Sequence, residues 1–282
     1  MAPAQRDGTV FDDVAAEYDR VRPAYPDELV DRACEVAEIE TGDPVLEIGC
    51  GTGQLTRSLL ARGLRVTALE PGKHLMSLAE RNLAGRGELE FVNARFEAAE
   101  LPHGHYRAVF CASAFHWIDP DVSWPKSFRL LAPGGTLALI QYFGLQDPRF
   151  ADDQRALLST VARIAPGLAA DWPAYRDLDA IAAGVEQRRD NVSEAWAWIG
   201  SYDLARAAAG RLFRDVQIAT VPTVVEHTAD ELTGLLRSMS FHSELSSAQR
   251  QALDHENVVL YERLGRPIRS STVGILITAR RT

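Results

Sequence analysis

The strongest chemical signal lies in one short stretch, Val45-Leu46-Glu47-Ile48-Gly49-Cys50-Gly51-Thr52-Gly53. An apolar run ends in three glycines at alternate positions, and Leu55, Leu59 and Leu60 then fall on one helical face. A glycine-rich turn between a strand and a helix lets a ligand approach the backbone and meet the free N–H groups of the helix start. A purely structural turn would need one glycine rather than three. Two carboxylates accompany the turn. Glu47 stands two residues before Gly49, and Glu70 ends a second apolar run 21 residues after Gly49. An acid in the later position can accept hydrogen bonds from both hydroxyls of a ribose. An acid in the earlier one repels a pyrophosphate and attracts a cation.

These signs constrain the ligand. The dinucleotide fingerprint G-x-G-x-x-G would put its third glycine at position 54, where this chain has Gln54. With Glu47, this disfavours a nicotinamide dinucleotide. S-adenosyl-L-methionine carries an ammonium, a sulfonium and no phosphate, so the charge pattern favours it. Glu70 supports a ribonucleoside without choosing among them. A second cluster, Ser113-Ala114-Phe115-His116-Trp117, follows another apolar run. In an open α/β sheet such a position borders the ligand crevice. His116, with a reference pKa of about 6.5, can take a proton from a hydroxyl or a nitrogen. The alternative, a structural turn with catalysis by alignment alone, stands beside it with equal weight.

The elements that must position these groups are legible from periodicity. Val14, Tyr18 and Val21 have helical spacing before Pro23 stops the run, and DELVDRACEVAEI repeats it with acids in its first turn. Then PVLEIG, LRVTALE, ELEFVNA, YRAVFCA and TLALIQYF alternate with helical segments, the signature of βαβ units and a parallel sheet. FRDVQIATVPTVVEH is a strand whose Pro222 suggests an edge or a bend, and STVGILITARR is the last strand. Thr228 to Glu231 and Ser246 to Gln249 form capping boxes, and Gly265 with Pro267 ends the second of these helices. The expected architecture is a doubly wound, Rossmann-like, mostly parallel seven-stranded sheet with a helical cap, its last strand antiparallel as the family resemblance given next implies. Residues 1–145 make the N-terminal helices and the cofactor-binding core, 146–213 the cap or substrate lid, and 214–282 return to the core, with cap helices at about 228–265. Trp172, Tyr175, Trp196, Trp198 and Tyr202 concentrate aromatic rings in the cap, where they either line a pocket or form its core. Phe241 and His242 are candidates for the same lid.

Taken together, VLEIGCGTG, VTALEPGKHL, NARFEAAELP, YRAVFCASAFHWID and LLAPGGTLALI resemble the class I S-adenosylmethionine-dependent methyltransferases over roughly half the chain. FDDVAAEYDRVRPAYP resembles the lead-in of a small-molecule branch that includes trans-aconitate methyltransferases. The resemblance implies that Glu47, Gly49, Cys50, Gly51 and Gly53 surround the methionine end of the cofactor. It further implies that Glu70 holds the ribose, with Pro71 and Leu75 against the sugar and the adenine. Arg95, Phe96 and Glu97 would flank the adenine, with Arg95 departing from the Asp or Ser of many relatives. Ala112 would lie under the methionyl portion. Tyr18 and Arg22, four apart on one helix face, would close over the cofactor, with helix packing and a solvated charge as the plainer alternative. The reaction implied is in-line methyl transfer to a small-molecule acceptor, with O-, N- and C-methylation all open.

Composition narrows the classes. The 282 residues hold 30 Lys and Arg against 39 Asp and Glu, a formal charge of −9. A net acidic chain argues against a duplex-binding protein. So does Ala112-Ser113-Ala114-Phe115, where a nucleic-acid methyltransferase would carry an N/D-P-P-Y-type loop. Cys34, Cys50 and Cys111 are too few and scattered for a disulfide framework or a zinc cluster, so no metal is expected. No signal peptide and no apolar run of about 18 residues is visible, so the expectation is a soluble cytoplasmic protein without a membrane partner. A homo-oligomer stays open, as do a nucleic-acid methyltransferase and an inactive, cofactor-binding regulatory protein.

Overall fold

The computed structural model describes residues 8–167 and 175–282. Seven strands form one sheet in the order β3-β2-β1-β4-β5-β7-β6. Their ranges are β1 Pro44–Ile48, β2 Arg65–Leu69, β3 Leu89–Val92, β4 Tyr106–Ala112, β5 Leu131–Gly144, β6 Phe213–His227 and β7 Ile268–Arg281. Strands β1 to β5 pair in parallel, and β7 is antiparallel to both β5 and β6. The expected doubly wound sheet with an antiparallel last strand is therefore present. The chain runs outward from β1 to β3 and then restarts on the other side of β1 with β4. In open α/β sheets the ligand crevice lies at such a switch point, beyond the carboxyl ends of the strands.

The central strands are apolar on both faces because both faces are covered. Leu46, Ile48, Val109, Cys111, Leu137 and Leu139 belong to one buried cluster, and Val45, Ala108, Phe110, Ala138 and Ile140 to the other. This is the period-two alternation of a pleated strand, with apolar residues at every position. The second face is closed by α2 (Asp27–Ala37), α3 (Gln54–Ala61) and α4 (Lys73–Leu83), whose Leu29, Val30, Leu55, Leu59 and Leu83 are buried there. Pro222 sits on the edge strand β6, which pairs only with β7, so its missing N–H breaks no interior ladder.

The helices after β5 divide between two clusters. Those at Leu178–Glu186 (α7) and Val192–Gly200 (α8) pack on the sheet, with Ile181, Val192, Trp196 and Ile199 buried in the same core as β4 and β5. The helix Ala151–Ile164 (α6) instead joins Ala229–Arg237 (α10), Ser240–Glu244 (α11) and Ser247–Leu264 (α12). Val161, Leu232, Leu236, Leu253 and Leu260 make a separate small core there. Both expected capping boxes form, and Gly265 closes α12 at φ 61°. The N-terminal helix α1 (Ala15–Val21) is docked on α10. Gly234 lies at this contact, where an added Cβ would come within 2.8 Å of Val21 and displace the ends of Glu17 and Arg20. Among the described residues, no helix is long and apolar enough to cross a membrane.

Candidate active site

The carboxyl ends of β1, β2, β4 and β5 open into one cavity of about 1210 Å³. Its wall begins at the glycine loop. Gly49 N and Cys50 N both donate to Leu69 O, at 2.8 and 3.0 Å, tying the loop to the end of β2. Gly49 adopts φ 71°, and a Cβ there would lie 2.4 Å from that of Ala114. The glycine therefore lets the loop after β1 touch the loop after β4. Gly53, at φ 94°, serves packing instead, since its Cβ would meet Leu83 at 2.7 Å.

Glu70 is 5% exposed and lines the cavity. Its Oε2 accepts from Gly51 N at 3.0 Å and its Oε1 from Gly72 N at 2.9 Å. Each carboxylate oxygen keeps a further lone pair, so the group can hold the loop and still receive a diol. Burial raises its pKa, against those two N–H bonds. Asn93 Nδ2 clamps the backbone beneath it, donating to Glu70 O at 2.8 Å and to Pro71 O at 3.2 Å.

Glu47 is only 1% exposed, behind the glycine loop. Burial raises its carboxyl to about 7, opposed by the Thr56 hydroxyl and reinforced by the charge of Glu70. Its Oε2 has no hydrogen-bond partner within the described protein. An unpartnered buried acceptor is costly. A cationic ligand end held on the other side of the loop would favour the ionised form by its charge.

Tyr18, Arg22, Gly49, Gly51, Glu70, Pro71, Leu75, Arg95, Phe96, Glu97, Ala112 and His116 all line the cavity. Glu47, Cys50 and Gly53 do not; the Cys50 side chain is 3% exposed and packed in the core under the loop. Arg95 and Glu97 are exposed at the rim and Phe96 is buried between them. Tyr18 meets Phe11 edge-to-face at 5.7 Å, and Phe11 meets Trp117 in the same way at 5.5 Å, giving an aromatic wall. The Arg22 guanidinium lies 5.1 Å from the Tyr18 ring and donates from Nη2 to Ser238 O at 2.7 Å.

On the acceptor side, His116 stacks in parallel on Tyr202, centroids 4.5 Å apart and planes 5° from parallel. Gln141 Nε2 donates to the Tyr202 hydroxyl at 2.5 Å. The cap aromatics thus separate. Tyr175 and Tyr202 line the cavity, Trp196 is fully buried in the core, and Trp198 lies under the guanidiniums of Arg176 and Arg188 at 4.4 and 4.9 Å. Trp172 falls outside the described residues. Phe241 lines the cavity and His242 does not.

Three contributors escaped sequence reasoning. Asp12 Oδ1 accepts from His74 N and Leu75 N at 2.7 and 3.0 Å, fastening the N-terminal segment over the start of α4. No local pattern signals so remote a cap. Tyr25 donates to Ser113 Oγ at 3.0 Å and stacks on Tyr142, bracing a serine held at φ 55°. Gln141 had a signal, as a polar residue at the end of the apolar run Leu137–Ile140.

Comparison with known proteins agrees with this geometry. The methyltransferase domain family matches residues 46–139, which run from within β1 into β5. Residues 46–139 thus match a methyltransferase domain. The sheet around them places the glycine loop at its switch point. An uncharacterized methyltransferase of Mycobacterium tuberculosis is 34% identical over 143 residues, covering 50% of this chain and 55% of the relative. A probable S-adenosylmethionine-dependent methyltransferase of Saccharomyces cerevisiae is 30% identical, covering 51% of this chain and 49% of the relative. The chain thus spans about half the length of these relatives. The solved structure of a putative type II methyltransferase from Anaeromyxobacter dehalogenans shares the fold around this methyltransferase domain, at 24% identity and TM-score 0.59. That match covers 92% of this chain and 97% of the other.

Proposed function

We propose that this protein transfers a methyl group from S-adenosyl-L-methionine to a small, largely apolar acceptor. The observation that carries the reading is Glu47, a buried carboxyl with an unpartnered oxygen directly behind a glycine loop. Lying behind the loop and outside the cavity wall, its charge acts through the loop, against a phosphate-bearing dinucleotide and in favour of a ligand with an ammonium. When bound, S-adenosylmethionine supplies an electrophilic methyl on a sulfonium, open to in-line attack.

The chain's own groups provide the rest. Gly49 and Gly51 permit close approach at the methionine end, and Glu70 offers lone pairs to the ribose diol while fixing the loop. Pro71, Leu75 and Phe96 provide apolar surface for the sugar and the base, and Ala112 leaves room beneath the reacting end. Phe11, Tyr18 and Trp117 exclude water from one side. Holding both reactants aligned supplies much of the acceleration in a displacement at carbon. His116, fixed in plane by Tyr202, serves as the base where the acceptor must lose a proton.

The remaining wall supports an apolar acceptor. Phe143, Leu145, Leu157, Leu235 and Met239 are apolar. Two of the arginines in that wall are already engaged. Arg176 donates to Ile199 O and lies on Trp198, while Arg269 lies on Phe150 beside Asp153. Committed guanidiniums favour an aromatic, terpenoid or polyketide-like acceptor over a polycarboxylate. We assign the lid to α6 and α10–α12, which form their own core above the cavity, and the pocket floor to residues 178–213. The acidic charge of the chain supports a small molecule over a nucleic acid.

Calorimetric titration tests the reading. S-adenosylmethionine and S-adenosylhomocysteine should bind and NAD should not. Comparable NAD affinity, or no binding of either sulfur nucleoside, would overturn it. Transfer of labelled methyl to a panel of phenols, terpenoids and aromatic amines then identifies the acceptor.

A further inference from the structure

One buried charge in the domain has no place in the chemistry described so far. Lys126 lies in α5 (Pro120–Leu130), on the face of the sheet that carries Leu46 and Val109, and is 8% exposed. A lysine so deeply buried requires partners for its ammonium. Nζ donates to Phe96 O at 2.5 Å, Ala99 O at 2.6 Å and Glu97 O at 3.3 Å. All three acceptors belong to the turn after β3, and the same ammonium sits 5.1 Å from the Phe96 ring. An ammonium has three protons, so a single turn takes its full donor capacity.

We propose that Lys126 is a positioning residue that sets the base-binding edge of the cofactor site, with an adenine nucleoside as the ligand it indirectly selects. This rests on the function proposed above. Trans peptides are planar, so turning the Phe96 carbonyl onto Lys126 turns the next N–H, that of Glu97, the opposite way. Phe96 and Glu97 both line the cavity, so the ammonium decides which side of this turn offers donors and where the Phe96 ring lies. Ala98 N and Ala99 N donate to Arg95 O at 3.1 and 2.9 Å, closing the turn from within. That internal pairing leaves three carbonyls facing inward, and Lys126 gathers them. The side chain touches neither the glycine loop nor Glu70, so its influence belongs to the base end of the site. Burial lowers the lysine pKa, opposed by the nearby Glu97 carboxylate.

The test compares wild type with Lys126→Met, Lys126→Gln and Lys126→Arg in two measurements. Hydrogen exchange of the ligand-free proteins should show Ala98 and Ala99 amides exchanging about tenfold faster or more in Lys126→Met. Lys126→Gln should be intermediate, and Lys126→Arg closest to wild type because it keeps a charged donor. Unchanged exchange at those amides in a folded Met or Gln variant would overturn the proposal. Titration should show S-adenosylhomocysteine and adenosine weakened by the same factor, about tenfold or more in Lys126→Met, because the lesion lies at the base. A variant with faster exchange and wild-type affinity for both ligands would reduce Lys126 to a structural role and likewise overturn it. If wild type binds neither ligand, the function proposed above falls. The ligand part of this proposal is then overturned with it, while the exchange measurement still decides whether Lys126 orders the turn.

Discussion

Replacing Glu47 by Gln removes a titrating group from the interior at nearly constant volume, and its effect on stability can be worked out. Burial lifts the carboxyl from its ordinary 4.5 to about 7 in the folded protein. Below pH 4.5 the group is neutral in both states and stability is unaffected. As pH rises through the interval to about 7, the unfolded chain ionises first, so the folded state loses stability. Above that interval the loss is complete. At about 1.4 kcal/mol per pKa unit, it amounts to about 3 kcal/mol. About 2.5 kcal/mol of it falls between pH 5 and pH 8, which in thermal melts of the ligand-free protein corresponds to about 5–10 °C. Glu47→Gln should remove that component, leaving a flatter profile and a variant more stable than wild type at pH 8. Glu70, also raised by burial, is present in both proteins and largely cancels in the comparison. S-adenosylhomocysteine should reverse the order. Its ammonium favours the ionised carboxyl, so binding to wild type near pH 6.5 should release a proton, detectable as a buffer-dependent heat. Glu47→Gln should lose that proton release together with about 1.5–3 kcal/mol of affinity. Parallel pH profiles for the two ligand-free proteins would refute the buried-carboxyl reasoning. Equal affinity in the variant would refute the pairing with an ammonium.

Glu70→Ala should weaken S-adenosylhomocysteine binding by about 1.5–3 kcal/mol and lower the melting temperature as well, since it abandons Gly51 N and Gly72 N. Calorimetry and melting of the same sample check both effects, and unchanged affinity in the folded variant would remove Glu70 from the ribose. Gly49→Ala must fit a Cβ at 2.4 Å from Ala114 at positive φ, so urea unfolding should show a loss of about 2–4 kcal/mol. With an acceptor in hand, His116→Ala should lower turnover about 10²–10⁴-fold with cofactor affinity nearly unchanged. Tyr202→Phe keeps the stacked ring and loses only the hydroxyl that accepts from Gln141, so it should cost far less. Full activity of His116→Ala would leave alignment as the whole mechanism.

The sheet and the loop were legible in the sequence because their causes are local. Strands covered on both faces must be apolar at consecutive positions, as β4 and β5 are, and a loop that approaches a ligand must carry glycine where φ is positive, as at Gly49 and Gly51. The capping boxes at Thr228 and Ser246 are likewise satisfied within four residues. Pro222 could announce an edge strand because a proline has no N–H to give an interior ladder. What the tertiary structure alone decided was which side chains share a space. The cap aromatics look alike in sequence, yet Trp196 is core, Trp198 takes two guanidiniums, and Tyr202 reaches His116 from 86 positions away. Asp12 caps a helix 62 residues later, and Lys126 gathers the carbonyls of a turn about thirty residues earlier. Nothing within a turn of helix or a strand fixes such pairs. They arise when the sheet brings distant loops to one end, and burial then makes any polar group left there find a partner or lie open to a ligand.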